Sequence, residues 1–181
     1  MKRRSVPAVC LVLALGAGPA FAHEADAEFD RGWQAYESRD YAAAAAAWRQ
    51  AAERGHPRAQ NGLGVLYRDG LGVEKDAATA VTWFRISAQN GYAYAMFNLG
   101  LAYRDGSGVA KDDIEAYKWL LLASTVNYDR EAAFERERLA RRMSAPQLEE
   151  ARGRAQAWLD QFFFGSAQRK PKTRTRVPRT E

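Results

Sequence analysis

Two histidines, His23 and His56, and one cysteine, Cys10, are the only imidazole and thiol groups in the 181-residue chain. A structural zinc site takes about four such ligands and a disulfide takes two cysteines, so neither staple is available. His56 could activate a serine beside one of many carboxylates. It stands just before Pro57, however, in a turn between helical patterns, where a polar loop residue is expected. Asp105-x-Ser107-x-Val109 opens like a calcium loop, but it lacks an oxygen ligand at its fifth position and a carboxylate at its twelfth. Gly62-x-Gly64 has neither a preceding strand nor a third glycine, which excludes a dinucleotide turn. The acidic pair Asp112-Asp113 suits the start of a helix. One sharper possibility is His23. If the chain is cut after Ala22, the new α-amine and the His23 imidazole form a chelate that favours copper, with His56 as the one remaining imidazole. Otherwise His23 is a polar terminus. The expectation is a protein with no catalytic residue, no cofactor and no metal.

The cut after Ala22 is itself a reading of the first 22 residues. Lys2, Arg3 and Arg4 form a basic start, Val6 to Leu15 a short apolar run, and Ala20-Phe21-Ala22 a small-x-small cleavage pattern. The run is shorter than the roughly 20 residues that span a bilayer, so a cleaved signal peptide at 1–22 is expected over an anchor. Cys10 lies inside it and should leave with it. The expected location is periplasmic or secreted.

Removing the leader also changes the meaning of the charge. The whole chain holds 27 basic and 22 acidic residues, a net +5. Within 165–181, Arg169, Lys170, Lys172, Arg174, Arg176 and Arg179 face Glu181 alone, so the body from His23 to Phe164 is left with a net charge of −3. This describes a mildly acidic domain with a basic tail. An exported protein rarely meets nucleic acid, so anionic lipid or acidic polysaccharide is the expected counter-charge, and a merely solubilising tail is the alternative. Pro171, Pro178 and alternating Thr and Arg give residues 165–181 nothing to fold around, and disorder is expected.

The body is organised by a repeat. Residues 57–92 realign on 93–128 with a shift of 36 and 14 identities, where chance gives roughly two. The matched run is Tyr67-Arg68-Asp69-Gly70 against Tyr103-Arg104-Asp105-Gly106. Ala59, Leu63, Gly64, Gly72-Val73, Lys75-Asp76, Ala80 and Trp83 match in the same way. A degenerate copy lies upstream, with Asp40, Ala44, Trp48 and Gly55 placed 36 residues before Asp76, Ala80, Phe84 and Gly91. Each unit reads as helix, glycine turn, helix. Ala59, Leu63 and Tyr67 share one face of a first helix, and Ala80, Trp83, Phe84 and Ala88 one face of a second. Gly70 suits a left-handed C-terminal position and Gly72 a loose connector. Asp76 and Asp112 suit N-caps, and Asp112-x-x-Glu115 has the spacing of a capping box. Ala59, Gly64 and Ala80 permit close helix approach, and Trp83 and Trp119 fill the gaps between pairs. Nothing reads as strand. The fold class is all-α.

These residues resemble the Sel-one-like repeat (SLR) family, a relative of the tetratricopeptide repeat with a longer turn inside each unit. The pattern Ala-x-x-x-Leu-Gly-x-x-Tyr-x-x-Gly-x-Gly-Val-x-x-Asp-x-x-x-Ala-x-x-Trp occurs at 57–92 and 93–128. The upstream unit, about 26–56, lacks the Gly-x-Gly-Val insertion and is closer to a plain tetratricopeptide unit through Gly32, Tyr36, Asp40-Tyr41-Ala42 and Ala44. The resemblance implies an α/α solenoid, a right-handed superhelix of helical hairpins, over a repeat domain at 23–164. Asp129–Arg142 and a helix from Ser144 to about Phe164, with Pro146 in its first turn, read as capping helices at 129–164. Phe134, Leu139 and Met143 are the sparse apolar positions of the first, and Trp158, Leu159, Phe162 and Phe163 give the second one apolar side.

For function, the resemblance implies a non-enzymatic scaffold whose first helices line a concave groove for a protein or peptide. Placed on the family motif, Arg58, Asn61, Val65 and Arg68 would face that groove, with Tyr94, Phe97, Leu101 and Arg104 in the next unit and Phe29, Trp33 and Tyr36 upstream. Aromatic and arginine side chains at exposed positions have the composition of binding hot spots. The alternative is that several of them cover capping helices or neighbouring hairpins. Some cysteine-rich secreted members of the family have been described as penicillin-binding or β-lactamase-like. Those carry paired cysteines, whereas this chain without its leader has none, and it has no Ser-x-x-Lys to supply a nucleophile.

Overall fold

The computed structural model of the chain describes residues 19–126 and 130–165. Among these residues there are eight α-helices and no strand. Three hairpins follow one another, α1 (Pro19–Glu37) with α2 (Tyr41–Glu53), α3 (Pro57–Asp69) with α4 (Ala77–Gln89), and α5 (Ala93–Asp105) with α6 (Asp113–Val126). The second helix of each hairpin packs on the first helix of the next. Two further helices, α7 (Arg130–Ala140) and α8 (Ala145–Phe164), each pack against α6 and do not pair with each other as the repeat helices do. The expected leader, apart from the start of α1 at Pro19, and the basic segment after Gly165 lie outside the described residues, as do Tyr128 and Asp129.

Local signals explain where the helices start. Six consecutive alanines, Ala42–Ala47, give α2 the strongest helix-forming run in the chain. Asp40 Oδ1 accepts the Ala43 N–H at 3.0 Å. Asp76 Oδ1 accepts from Ala78 and Thr79 at 2.9 and 3.1 Å, and Asp112 Oδ1 accepts from Ile114 and Glu115 at 2.9 and 3.0 Å. The box expected at Asp112-x-x-Glu115 is only half made. Glu115 turns away to Lys118, Trp119 and Arg154, and the Asp112 N–H is donated to the Tyr103 carbonyl instead. The complete box is at Ser144 and Gln147, with Pro146 in the first turn of α8.

The core is continuous along the array. Phe29, Trp48, Leu63 and Leu66 fill the first two units, and Phe84, Met96, Leu99 and Trp119 the next junction. Tyr117, Leu120, Leu139, Met143 and Ala151 join α6 to both cap helices. Each fully buried Phe or Leu contributes about 2–3 kcal/mol. An exposed ion pair contributes under about 1 kcal/mol. Apolar packing therefore holds the array, and the many Arg–acid pairs on its surface adjust it.

Close approach sets the hairpin geometry. Gly32, Gly64 and Gly100 occupy equivalent places on the three first helices. A Cβ on Gly64 would sit 2.6 Å from Phe84 Cε1 and one on Gly100 2.8 Å from Leu120 Cγ, while one on Gly32 would collide with Trp48 Cδ1. Between units the same device recurs in a loop. Gly72 and Gly108 have φ of +67° and +73°, and a Cβ there would overlap the backbone of Tyr41 and of Ala77 respectively. The connector expected to be loose is thus a docking point, pressed against the start of the preceding unit's second helix. Gly70, at φ +73°, ends α3 in the left-handed conformation as expected.

The cap departs from expectation in two respects. Phe134 in α7 is 60% exposed, so the apolar face of that helix reduces to Ala132 and Leu139. The apolar side of α8 is only partly covered: Ala151 and Ala155 are buried, Trp158 and Leu159 lie half-buried against the core around Trp119, and Phe162 and Phe163 are exposed.

Gly72→Ala and Gly108→Ala should each destabilise the fold by about 2–4 kcal/mol, the sum of an overlap and a left-handed alanine. Gly153 lies inside α8, where a Cβ meets nothing within 4 Å. Gly153→Ala should stabilise by about 0.5–1 kcal/mol. Urea unfolding of the three variants measures both signs.

Candidate functional site: the shared face of the first helices

The three equivalent glycines put the expected groove residues in register. Phe29, Asn61 and Phe97 are equivalent, as are Trp33, Val65 and Leu101, and Tyr36, Arg68 and Arg104. All lie on the face that α1, α3 and α5 share. Their environments differ sharply.

At the upstream end, Phe29 is only 6% exposed. Its ring stacks on Trp48 and on His56, with centroids 6.3 and 4.7 Å away, so it belongs to the core and not to the groove. Tyr36 is half-buried between Tyr41 and Trp48. Trp33 remains 46% exposed, stacked on Phe29 and Tyr36 and tied through Nε1 to Glu37 Oε1 at 2.9 Å. The Arg58 guanidinium lies 4.4 Å from the centre of the Phe29 ring, and its residue is exposed.

In the middle, a polar ladder crosses from α3 to α5. Asn98 Nδ2 donates to Asn61 Oδ1 at 2.9 Å, and Arg68 Nη1 donates to Asn98 Oδ1 at 3.2 Å. The remaining Arg68 nitrogens form a two-pronged pair with Asp69 at 2.7 and 2.8 Å, which holds the Asp69 carboxyl below the usual carboxylate range. Sequence reasoning missed Asn98. A strict 36-residue register points to Phe97, but neighbouring helices meet one residue out of step, and Phe97 is half-buried against the core around α6. Tyr94 is 52% exposed beside Tyr92.

At the downstream end Arg104 is not free for a partner. It repeats the two-pronged pair with Asp105, at 2.7 Å for each prong, and also donates from Nη1 to Glu135 of α7. The side chains of Arg104 and Glu135 are only 15% and 14% exposed, so this pair joins the last repeat to its cap. The alternative reading, that some of these residues cover cap helices and neighbouring hairpins, therefore holds for Phe29, Phe97 and Arg104.

Between α3, α4 and α5 the face opens into a cleft of about 160 Å³. Val81, Phe84 and Leu101 form apolar walls, and Arg68, Asn98 and Asp105 bring polar groups to it. The identical Tyr-Arg-Asp-Gly runs also have a structural use. Tyr67 Oη accepts from Arg49 at 3.0 Å and Tyr103 Oη from Arg85 at 3.2 Å, so each tyrosine ties its unit to the second helix of the unit before.

His56 is more than a polar loop residue. Its Nδ1 accepts the Ala59 N–H at 3.1 Å, which caps α3, and its Nε2 lies 3.2 Å from Asp26 Oδ1. Both ring nitrogens are taken, so His56 offers no second imidazole to a copper ion at the exposed His23. Among the described residues no group of three His, Cys, Asp or Glu side chains is placed to hold a metal ion. Tyr92 occupies the same place one unit later and makes no side-chain cap, so position 56 departs from the repeat.

Comparisons with known proteins agree with this architecture. The family model described as Sel1 repeat matches residues 57–92 and 93–128. Among solved structures, the chain is similar to c5321, a protective antigen present in uropathogenic Escherichia coli strains and displaying an SLR fold. The two share 26% identity at a TM-score of 0.74, over 89% of this chain and 36% of that one. The chain is also similar to a Sel1 repeat protein from Oxalobacter formigenes, with 37% identity and a TM-score of 0.58 over 61% and 45% of the two chains. It thus spans less than half the length of either. No curated protein matches.

Two predictions follow from the two ends of the face. Arg104→Ala, which removes the half-buried partner of Glu135 and leaves it only the exposed Arg138, should cost about 1–3 kcal/mol. Arg68 is 43% exposed. Arg68→Ala should therefore cost under about 1 kcal/mol, and guanidinium unfolding of the pair tests the contrast. Burial holds the His56 pKa below its ordinary value of 6.5; Asp26 opposes the shift and Arg58 adds to it. The unfolded chain therefore binds the proton more tightly than the folded one. The capping contribution is complete above about pH 6.5 and is lost as pH falls through the lower folded value. His56→Asn keeps a side-chain acceptor without the titration, so wild type should lose stability relative to this variant between pH 7.5 and pH 5.

Proposed function

We propose that this chain, a Sel1-repeat protein of SLR fold, is an exported, non-enzymatic scaffold that binds an extended segment of a partner protein across the shared face of α1, α3 and α5. Sel1-repeat proteins in general mediate protein–protein interaction. The observation that carries the finer reading is the cleft between two units. Its volume of about 160 Å³ suits one apolar side chain rather than a metabolite, and polar groups of Arg68, Asn98 and Asp105 surround it for a flanking backbone. Exposed Trp33, Arg58 and Tyr94 extend the same face, with the residue types that dominate binding hot spots.

Export rests on Lys2-Arg3-Arg4, the apolar run and Ala20-Phe21-Ala22. It places the partner in the cell envelope or outside the cell. A second contact falls to the basic residues of 165–181, whose charge suits an anionic lipid or polysaccharide.

The groove is tested with a peptide library selected against the wild-type chain. Selected peptides should share one apolar anchor. Leu101→Trp, which fills the cleft, and the triple variant Trp33→Ala/Arg58→Ala/Tyr94→Ala should each weaken their binding at least about tenfold, with unchanged circular dichroism. Selected peptides that bind both variants as well as wild type would remove the groove from the reading. Expression in a bacterial host followed by N-terminal sequencing tests export, with His23 the expected first residue.

A further inference from the structure

The last turn of α8 carries three consecutive phenylalanines that the fold does not bury. Phe162, Phe163 and Phe164 are 41%, 59% and 65% exposed. Successive helical residues point about 100° apart, so no single packing surface could take all three. Phe162 and Phe163 are nevertheless held in place. Phe162 stacks on Trp158 with ring centres 4.8 Å apart and meets the Phe163 ring edge-on at 5.2 Å. It also rests over Gly91, where a Cβ would come within 2.7 Å of its Cζ. Trp158 in turn meets Trp119 of α6 at 6.0 Å. The result is an aromatic wedge braced on the end of the array. The charges nearest it on α8 amount to Asp160, which accepts a hydrogen bond from Gln156 at 2.9 Å.

The sequence next to the wedge supplies the second observation. Residues 165–181 hold six basic residues and one acidic one, beginning five residues after Phe164 with Arg169. Exposed aromatic rings followed at once by a polybasic segment match one environment on both counts. The headgroup boundary of an anionic bilayer buries aromatic rings at shallow depth and attracts Lys and Arg through its surface potential. An acidic polysaccharide would answer the charge and leave the phenylalanines in water. An apolar protein groove would answer the rings and leave the charge unmatched.

We infer that the end of α8 and the basic segment after it form a peripheral docking site for an anionic phospholipid surface. The wedge enters the headgroup region, and the basic residues hold it there by charge. This rests on the second contact proposed above and commits it to lipid; the peptide cleft is lined by α3, α4, α5 and the loop after α5, and α8 contributes no residue to it. No described helix is long and apolar enough to cross a membrane.

Co-sedimentation of the full chain with vesicles of phosphatidylcholine alone, and of phosphatidylcholine with phosphatidylglycerol, tests the inference. The apolar run near the N-terminus is present in every variant, so the readout is the excess binding to phosphatidylglycerol vesicles. That excess should be clear at low salt and vanish at high salt. It should fall about tenfold or more on deletion of 166–181, and about threefold or more in Phe163→Ser/Phe164→Ser. The latter leaves Phe162 on Trp158 and Gly91, and circular dichroism checks its fold. No excess on phosphatidylglycerol would overturn the inference. An excess that ignores the Phe→Ser change would reduce the site to charge alone and also overturn it. Retention on an acidic polysaccharide resin that depends on 166–181 but not on the phenylalanines, with no vesicle excess, would keep the basic contact and replace its ligand. Loss of peptide binding in Leu101→Trp with vesicle binding intact separates this site from the groove.

Discussion

The absence of side chains at two kinds of glycine position sets the geometry of the whole array. Inside each hairpin a glycine on the first helix lets a large residue of the second, Trp48, Phe84 or Leu120, lie directly on backbone. Between hairpins, Gly72 and Gly108 let a loop touch the preceding unit's second helix. Packing density in a protein interior is near that of an organic crystal, so such contacts leave little freedom in the angle between helices. The positions of Trp33, Asn61, Arg68 and the cleft are consequences of that angle. Hydrogen bonds then fix register, through Arg49 to Tyr67 and, one unit later, Arg85 to Tyr103.

Much of this was legible in the residues. The 36-residue period, the capping aspartates and the close-approach role of Gly64 depend on neighbours a few residues or one unit away, and the structure has them as the pattern implies. The turn chemistry of Gly72 was only half legible. Its place in the turn shows in the sequence, but its left-handed backbone and its contact with Tyr41, thirty-one residues upstream in a degenerate unit, do not, and a loop seen alone reads as slack. Glu115 failed as a capping partner for a similar reason, since Arg154 of α8 competes for it.

The groove residues were the least legible. Periodicity says which residues share a face and nothing about what covers that face. Phe29 sits at an outward position of α1, yet His56, which caps α3, and Arg58 of α3 close over it. Arg104 repeats Arg68 in sequence and in its pair with the adjacent aspartate, and differs only because α7 brings Glu135 to it. Asn98 was invisible because helices contact at staggered positions, so the true partner of Asn61 is 37 residues away and not 36. A repeat therefore predicts which residues share a face better than what meets that face from a neighbouring helix.

The glycine loops also give the array a direction. Each reaches backward, from the unit at 57–92 to Tyr41 and from the unit at 93–128 to Ala77. A unit with such a loop makes a demand on whatever stands before it. The upstream unit has a tight turn instead, closed by Arg39 at φ +63° and capped by Asp40, and makes no such demand. The units are therefore not interchangeable despite their likeness. In a rearranged chain, a looped unit moved to the front would hold its glycine against open solvent, and the loopless one placed second would leave an undocked seam behind it. The order of the units is written into the loops, as grammar rather than as extra stability.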